Sequence, residues 1–142
     1  MERKEFIKTC GFACLGGLLL SSVLEGCGTS KVIAGTIDHA DLVVPATVFQ
    51  DKNLYHKYVV VQHPSLKYPV CVYRSSQTGY VALLMRCTHQ GAELQVFGDR
   101  LECPAHGSQF SNTGMVQNGP ADTNLRTFPV TVINDQIHIS LK

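Results

Sequence analysis

Residues 87–91 read Cys-Thr-His-Gln-Gly, and residues 103–108 read Cys-Pro-Ala-His-Gly-Ser. Each segment supplies one thiol and one imidazole, and both groups are good ligands for transition metals. A single Cys-x-His or Cys-x-x-His pair occurs often by chance. Two such pairs in succession, each followed by a glycine, indicate a metal site that is built by two loops.

The connector between the two segments is short. It spans residues 90–102, and Phe97-Gly98-Asp99-Arg100 in its middle predicts a tight turn between two short strands. Such a hairpin brings the two loops side by side. Two thiols and two imidazoles are therefore expected to meet at one place.

Four ligands of this kind can hold metal in two ways. Two bridged irons can divide them, so that one iron binds both sulfurs and the other binds both nitrogens. A single zinc ion can instead bind all four in a tetrahedron. Zinc modules usually group like ligands, as Cys-x₂₋₄-Cys with His-x₃₋₅-His, whereas this chain interleaves them. The pattern favours iron, and a zinc-stabilised, non-redox binding module is the alternative.

Both segments resemble the ligand boxes of the Rieske iron–sulfur family, which read Cys-Thr-His-Leu-Gly-Cys and Cys-Pro-Cys-His-Gly-Ser in its high-potential members. The resemblance extends over about residues 57–142. It implies one 2Fe-2S cluster per chain. Cys87 and Cys103 would bind the inner iron. His89 and His106 would bind the outer, more exposed iron.

The same resemblance implies residues that tune the cluster. Ser108 keeps the hydroxyl that donates to a bridging sulfide. Gly91 and Gly107 would let the backbone pass close to the sulfides, where a Cβ would clash and N–H groups can donate to sulfur. Residues 118–121, Asn-Gly-Pro-Ala, look like the third loop that covers the cluster, with Pro120 at its centre.

The chain departs from the high-potential pattern in three ways. The second cysteine of each box, which forms a disulfide between the loops in those members, is replaced by Ala92 and Ala105. Gln90 stands where quinol-oxidising members have a hydrophobic residue. Phe110 replaces a tyrosine that donates to a ligand sulfur. Because hydrogen bonds to sulfur stabilise the added electron, we expect a lower potential than in that class.

The N-terminal 27 residues are predicted to be an export signal. Arg3 and Lys4 open a basic start, and residues 10–24 form an apolar run that is short for a membrane span. The end resembles a bacterial lipobox, in which Cys27 would be lipidated. The basic start resembles a twin-arginine signal, and the Sec route stays open.

The remaining chain is predicted to be one domain with a tether. The full sequence of 142 residues suits one modest domain plus a tail, and its formal charge of +1 argues against a nucleic-acid partner. Residues 28–56 are assigned to a tether and an edge segment, in which Leu42–Phe49 with Pro45 suggests an edge strand at best. Residues 57–142 are assigned to the 2Fe-2S domain.

Strand patterns dominate that domain. An Asn134-Asp135 turn predicts a hairpin between the last two of them. We expect an all-β, antiparallel sandwich or barrel of Rieske type, with a small cluster-binding subdomain formed by two loops. The predicted strands are Tyr58–Gln62, Pro69–Arg74, Gly79–Met85, Phe128–Ile133 and Gln136–Leu141.

Other residues with reactive side chains are given structural roles. Cys71 alternates with valines and is expected to be a buried thiol. Asp99 and Glu102 are expected to be solvated charges rather than an acid pair. The remaining histidines lie outside any ligand spacing and are not expected to bind iron: His39, His56, His63 and His138.

These features predict one-electron transfer. The chain would be an exported carrier or the electron-transfer subunit of a membrane-associated redox complex, at the periplasmic face of the inner membrane. It would act as a component of an oxidoreductase system, between a donor and an acceptor protein, rather than as a catalyst alone. The alternatives are the Rieske subunit of a quinol–cytochrome c oxidoreductase, the small subunit of an exported molybdenum oxidase, and the zinc module.

Overall fold

The computed structural model describes residues 30–142. The predicted export signal, its basic start and Cys27 lie outside the described residues. Within residues 30–142, no helix is long and apolar enough to cross a membrane. The described chain is built of short strands and one 3₁₀ helix at Ala46–Phe49. The strands are β1 (Val32–Ala34), β2 (Thr36–Asp38), β3 (Asp41–Pro45), β4 (Gln50–Asp51), β5 (Leu54–Tyr55), β6 (Tyr58–Gln62), β7 (Val70–Arg74), β8 (Tyr80–Leu84), β9 (Gln95–Phe97), β10 (Arg100–Glu102), β11 (Gln109–Ser111), β12 (Val116–Asn118), β13 (Thr127–Phe128), β14 (Val130–Ile133) and β15 (Gln136–Ser140).

A central five-stranded sheet has the order β1-β6-β7-β8-β13 and is antiparallel except for the parallel pair β1 and β6. Both of its faces are buried, which explains the nearly continuous apolar runs in β6 and β7. Side chains alternate between the faces of a strand. Val59 and Val61 accordingly enter one hydrophobic core, and Val60 enters the other.

The second sheet has the order β14-β15-β3-β2. It packs on the face of the central sheet that carries Val59 and Val61, which we call the first face. Leu42 and Val44 of β3 are fully buried there. Phe49, at the end of the 3₁₀ helix, fills the same core and is also buried. These two sheets form the predicted antiparallel sandwich, so the all-β prediction is confirmed.

The prediction of an edge strand over Leu42–Phe49 is wrong. Strand β3 ends at Pro45 and lies between β15 and β2, so it is an inner strand. Pro45 is tolerated because it is the last residue of the strand, where its missing N–H interrupts no interior hydrogen bond. Residues that the sequence assigned to a tether thus belong to the folded unit.

A third sheet, with the order β12-β11-β10-β9, is inserted between β8 and β13. It packs against the second face of the central sheet, the one that carries Val60, through a core that includes Leu101, Phe110 and Leu83. The turn predicted in the middle of the connector between the two ligand segments is present, since Phe97 of β9 pairs with Arg100 of β10 across two residues. The subdomain is therefore a four-stranded sheet from which the ligand loops extend, and not two loops alone.

The C-terminal strands differ slightly from the sequence pattern. The run Phe128–Ile133 divides at Pro129, because proline cannot donate to a ladder. Strand β13 joins the central sheet, and β14 joins the second sheet. The Asn134-Asp135 hairpin is confirmed: both residues have positive φ, 49° and 59°, as a two-residue turn of this type requires.

Candidate metal centre

The two ligand loops have the same backbone turn. In the first, the Cys87 N–H donates to the Ala92 carbonyl at 2.8 Å, and the Gly91 N–H donates to the Cys87 carbonyl at 2.8 Å. In the second, the N–H of Cys103 donates to the Ser108 carbonyl at 2.8 Å. The Gly107 N–H donates to the Cys103 carbonyl at 2.9 Å. The loops differ in where the histidine stands, two residues after the cysteine in one and three in the other.

Glycine closes both turns because the backbone has a positive φ there, 78° at Gly91 and 80° at Gly107. A Cβ on Gly91 would lie 3.2 Å from Nε of Arg86, so this position is also crowded by the protein. A Cβ on Gly107 would meet no heavy atom of the described residues within 4 Å. At Gly107 the protein therefore demands glycine through the backbone angle alone.

The four predicted ligands come together as two pairs with opposite exposure. Cys87 and Cys103 are buried at the base of the loops, in the core that the subdomain shares with the central sheet. His89 and His106 are exposed at the tip, with their ring centroids 5.0 Å apart and their planes nearly perpendicular. This arrangement presents sulfur from the inside and nitrogen from the outside.

The surroundings of Cys103 favour a thiolate. Burial by itself would raise the pKa of this thiol. Backbone N–H groups of Ala105 and His106 donate to the sulfur, and a hydrogen bond with Cys87 adds to their effect. The net result is a pKa of Cys103 below its usual value. Metal-binding cysteines must lose their proton, so the loop geometry fits a metal-bound sulfur.

A third loop closes over the second one. The Ala121 N–H donates to Oγ of Ser108 at 3.0 Å, and Ser108 is fully buried. Because that bond uses the oxygen as an acceptor, the hydroxyl hydrogen stays available for a further acceptor. Pro120 is exposed beside this contact and follows a cis peptide bond. The first loop is tied to the same segment by the Thr88 hydroxyl, which donates to the Thr123 carbonyl at 2.6 Å.

Cys71 lies in the core that the subdomain shares with the central sheet and is fully buried, as expected. Burial raises the pKa of its thiol strongly, and a hydrogen bond with Tyr73 opposes this only in part. Asp99 is exposed and pairs with Lys57 at 3.8 Å, whereas Glu102 is half-buried between Arg100 and other subdomain residues. Glu102 is thus less solvated than expected.

The four remaining histidines stand apart from the ligand loops in the described structure. Each has its own polar neighbour outside those loops. The pairs are His39 with Asp38 at 2.7 Å, His56 with Asp51 at 3.7 Å, His63 with Ser65 at 2.6 Å and His138 with Asp41 at 3.5 Å.

Sequence reasoning missed two residues beside the first loop. The Tyr68 hydroxyl donates to the Gly91 carbonyl at 2.7 Å. The Arg86 guanidinium lies 5.8 Å from the centroid of the Tyr68 ring. Tyr68 is distant from the boxes in sequence, and no pattern marks it. Arg86 is adjacent to Cys87 in the sequence, but its contact with Tyr68 could not be predicted from the sequence.

Comparison with known proteins decides the family. Residues 43–129 match the family model described as Rieske [2Fe-2S] domain, which is more than half of the chain. The chain belongs to the Rieske family. It therefore binds a 2Fe-2S cluster and transfers electrons, and the cofactor and the function predicted from the sequence are confirmed.

Curated Rieske relatives are named as iron–sulfur subunits of the cytochrome b6-f complex. Subunit 1 from Synechocystis sp. is 37% identical over 62 residues, which cover 42% of this chain and 35% of that relative. The subunit from Synechococcus elongatus is 24% identical over 151 aligned residues, which cover 99% of this chain and 84% of the relative. The more similar stretch thus spans only about a third of the relative that contains it.

Two solved structures share the fold. The plasma membrane Rieske protein PetC3 from Synechocystis PCC 6803 is 29% identical, with a TM-score of 0.52 over 59% of this chain and 86% of that one. A chain in the complex of reduced oxygenase and oxidised ferredoxin of carbazole 1,9a-dioxygenase is 26% identical. Its TM-score is 0.55, over 74% of this chain and 96% of that one.

The two pairs of predicted ligands fit the cofactor of the family. In a diiron core each iron takes only two protein ligands, two thiolates on one iron and two imidazoles on the other. The buried pair Cys87 and Cys103 and the exposed pair His89 and His106 divide in the same way. The family match therefore favours the 2Fe-2S cluster over the zinc alternative.

Proposed function

We propose that Cys87 and Cys103 bind the inner iron of the cluster, and that His89 and His106 bind the outer one. The observation that carries this assignment is the contrast in exposure between the two pairs. The thiols are buried at 1% and 2% exposure, whereas both imidazoles are exposed and adjacent. Neutral imidazoles replace two anionic thiolates, which makes it easier for the cluster to accept an electron.

Electrons would enter and leave through the exposed histidines. A partner can approach their ring edges directly, whereas the buried cysteines are shielded by the subdomain and the central sheet. An imidazole that binds metal through one nitrogen leaves the other nitrogen free to hydrogen-bond a partner or to hold a proton. The two rings are therefore the docking point, and their free nitrogens would allow electron uptake at this tip to be coupled to proton uptake.

The chain would work as the electron-transfer subunit of a membrane-associated redox complex. This is supported by the cytochrome b6-f relatives and by the likeness to a plasma membrane Rieske protein. The basic and apolar N-terminal residues support export, and a lipid on Cys27 would hold the domain at the periplasmic face of the membrane. A donor and an acceptor protein would supply the chemistry on either side.

A freestanding carrier is the second candidate. It is favoured by Phe110, which is fully buried and offers no hydroxyl to a ligand sulfur. The lack of that donor lowers the expected potential. Gln90, at the exposed tip, is polar where a quinol-binding surface would be apolar. The small subunit of an exported molybdenum oxidase would be a further example of the complex-bound role.

The assignment is tested on the full chain purified anaerobically. We expect two irons and two labile sulfides per chain, and a low-average-g EPR signal after reduction. A colourless, zinc-containing protein would refute the proposal. A redox titration over pH then separates the roles: a positive midpoint that falls with pH near neutrality supports the quinol-linked complex, and a negative, pH-independent midpoint supports the carrier.

Membrane attachment and partners are tested separately. We expect the chain to fractionate with membranes and to copurify with other redox subunits after mild detergent extraction. Replacement of Cys27 with serine should release it to the soluble fraction if the lipid holds it there. A chain that is found alone and soluble in both forms would contradict the complex and the anchor, but not the ligand assignment.

A further inference from the structure

The first ligand loop has few long-range supports. Thr88, His89 and Gln90 are exposed at its tip, and its internal hydrogen bonds join only residues within the turn itself. Two side-chain bonds connect it to distant parts of the described chain. One runs from Thr88 to Thr123 at the tip, and the other runs from Tyr68 to Gly91 at the base. A loop that must keep a metal ligand in a fixed position depends on such contacts.

The Tyr68 hydrogen bond is made to the residue that closes the turn. Its acceptor is the carbonyl of Gly91, and the N–H of Gly91 closes the turn onto Cys87. Gly91 thus accepts the hydrogen bond from Tyr68 and donates the hydrogen bond that closes the turn at Cys87. The contact is partly buried, where an unmade hydrogen bond costs more than at a fully exposed site.

The backbone at Tyr68 is itself restrained by its neighbours. Pro69 follows it and is buried, and its carbonyl accepts the Met85 N–H at 3.0 Å. This backbone bond joins the segment of Tyr68 to the residue that stands two before Cys87. Proline fixes its own φ and restricts the residue before it, so Tyr68 has little backbone freedom.

Arg86 adds a second contact to Tyr68. Its guanidinium lies 5.8 Å from the centroid of the Tyr68 ring, within the range of a cation–π contact. A Cβ on Gly91 would lie 3.2 Å from Arg86 Nε and 3.5 Å from the Tyr68 hydroxyl. The loop backbone therefore packs directly against this pair, and an added methyl group would crowd the Arg86 guanidinium.

We propose that Tyr68 is a positioning residue for the metal centre, which holds the first ligand loop closed through its hydrogen bond to the Gly91 carbonyl. This inference rests on the proposed ligand assignment. The loop must open before the cluster can leave, because the buried Cys87 lies beneath it. The hydroxyl dipole also points its positive end toward the loop, which favours the reduced centre.

The test compares two variants of the full chain, each of which loses one tyrosine hydroxyl. Tyr68→Phe removes the support of the ligand loop. Tyr73→Phe is the matched control, because the Tyr73 hydroxyl donates to the Gly98 carbonyl at 2.9 Å, at a turn of the same subdomain that holds no ligand. The rate at which excess iron chelator bleaches the cluster and the midpoint potential are measured for both.

We expect Tyr68→Phe to lose its cluster about five- to tenfold faster than the wild type, as the loss of one partly buried hydrogen bond allows, and to have a lower midpoint. Tyr73→Phe should match the wild type in both measurements, even if its thermal stability falls. Equal bleaching rates in wild type and Tyr68→Phe, or equal acceleration in both variants, would overturn the inference.

Gly91→Ala supplies a second route to the same answer. Its methyl group would strain the backbone at a φ of 78° and crowd the Arg86 guanidinium, so it should also accelerate cluster loss. Combined with Tyr68→Phe, it should add less than its separate effect, because both changes loosen the same closed turn. Fully additive effects would refute the inference. A wild-type protein without a 2Fe-2S spectrum would instead refute the proposed function, so the two failures are distinguishable.

Discussion

Gly91 and Gly107 occupy equivalent positions in two backbone turns. Each lies four residues after a predicted cysteine ligand, donates its N–H to the carbonyl of that cysteine, and has a φ close to 80°. The two loops thus face each other as copies of one turn. His89 lies two residues after its cysteine and His106 lies three residues after its own. The tertiary structure nevertheless brings their rings together at the tip.

Replacing Gly107 with alanine should strain the second loop. A non-glycine residue with positive φ costs about 1–2 kcal/mol. Gly98→Ala is the matched control, because Gly98 also has a positive φ, 60°, and open space for a Cβ. We expect similar losses of thermal stability in both variants and a shifted midpoint potential only in Gly107→Ala. Equal potentials would show that this turn does not tune the cluster.

Ser108→Ala should lower the midpoint potential. The change removes the acceptor for the Ala121 N–H and the hydroxyl hydrogen that remains free to stabilise the added electron. It should also cost about 1–3 kcal/mol, because a buried N–H loses its partner. Ser111→Ala is the control, since the Ser111 hydroxyl accepts a backbone N–H from Met115 outside the ligand loops. A midpoint that moves equally in both would contradict the role of Ser108.

Arg86→Met should also lower the midpoint, by about 10–40 mV, since it removes a solvent-screened positive charge beside the first loop. The difference from wild type should shrink as salt concentration rises. Arg74→Met is the control, because the Arg74 guanidinium donates to the Ser76 carbonyl at a turn between β7 and β8. The prediction fails if the shift is absent or insensitive to salt.

His106→Cys should retain the cluster poorly and should lower the midpoint of the fraction that retains it, because a thiolate adds a negative charge to the centre. Spectroscopy and a redox titration measure both effects. His39→Cys controls for the added thiol, since His39 is exposed at the turn between β2 and β3, outside the ligand loops. An unchanged midpoint in His106→Cys would contradict the ligand assignment.

Cys71 should make the fold less stable at alkaline pH. In the unfolded chain this thiol ionises above about pH 8.5, whereas burial raises its pKa in the folded protein. The folded form keeps the proton, so the stabilisation is complete below that pH and declines as pH rises above it. Urea unfolding at several pH values should show a smaller alkaline loss for Cys71→Ala than for wild type. Parallel losses would contradict this linkage.

The ligand set and the class of fold could be predicted from sequence because they depend on local chemistry. Residues 87–91 and 103–108 carry their thiols, imidazoles and glycines in a fixed order. The turns at Gly98-Asp99 and Asn134-Asp135 are set by residues that accept positive φ. None of these features needs a distant contact to be recognised.

The position of β3 could not be predicted in this way. Pro45 indicated an edge, but whether a strand is inner or outer depends on which strands pair with it, and here β15 arrives from about ninety residues later in the chain. The packing of the subdomain sheet on the second face of the central sheet is non-local for the same reason. Alternation in β6 and β7 shows two buried faces only once the partners are known.

By itself, the sequence determined which atoms are available to bind the cluster, because ligand chemistry belongs to side-chain type and order. Tertiary structure alone decided which atoms are buried, which are exposed and what holds the loops. Tyr68 reaches Gly91 from 23 positions away, and Ser108 meets Ala121 from 13 positions away. Such contacts arise from the folding of sheets against one another, and no short stretch of residues encodes them.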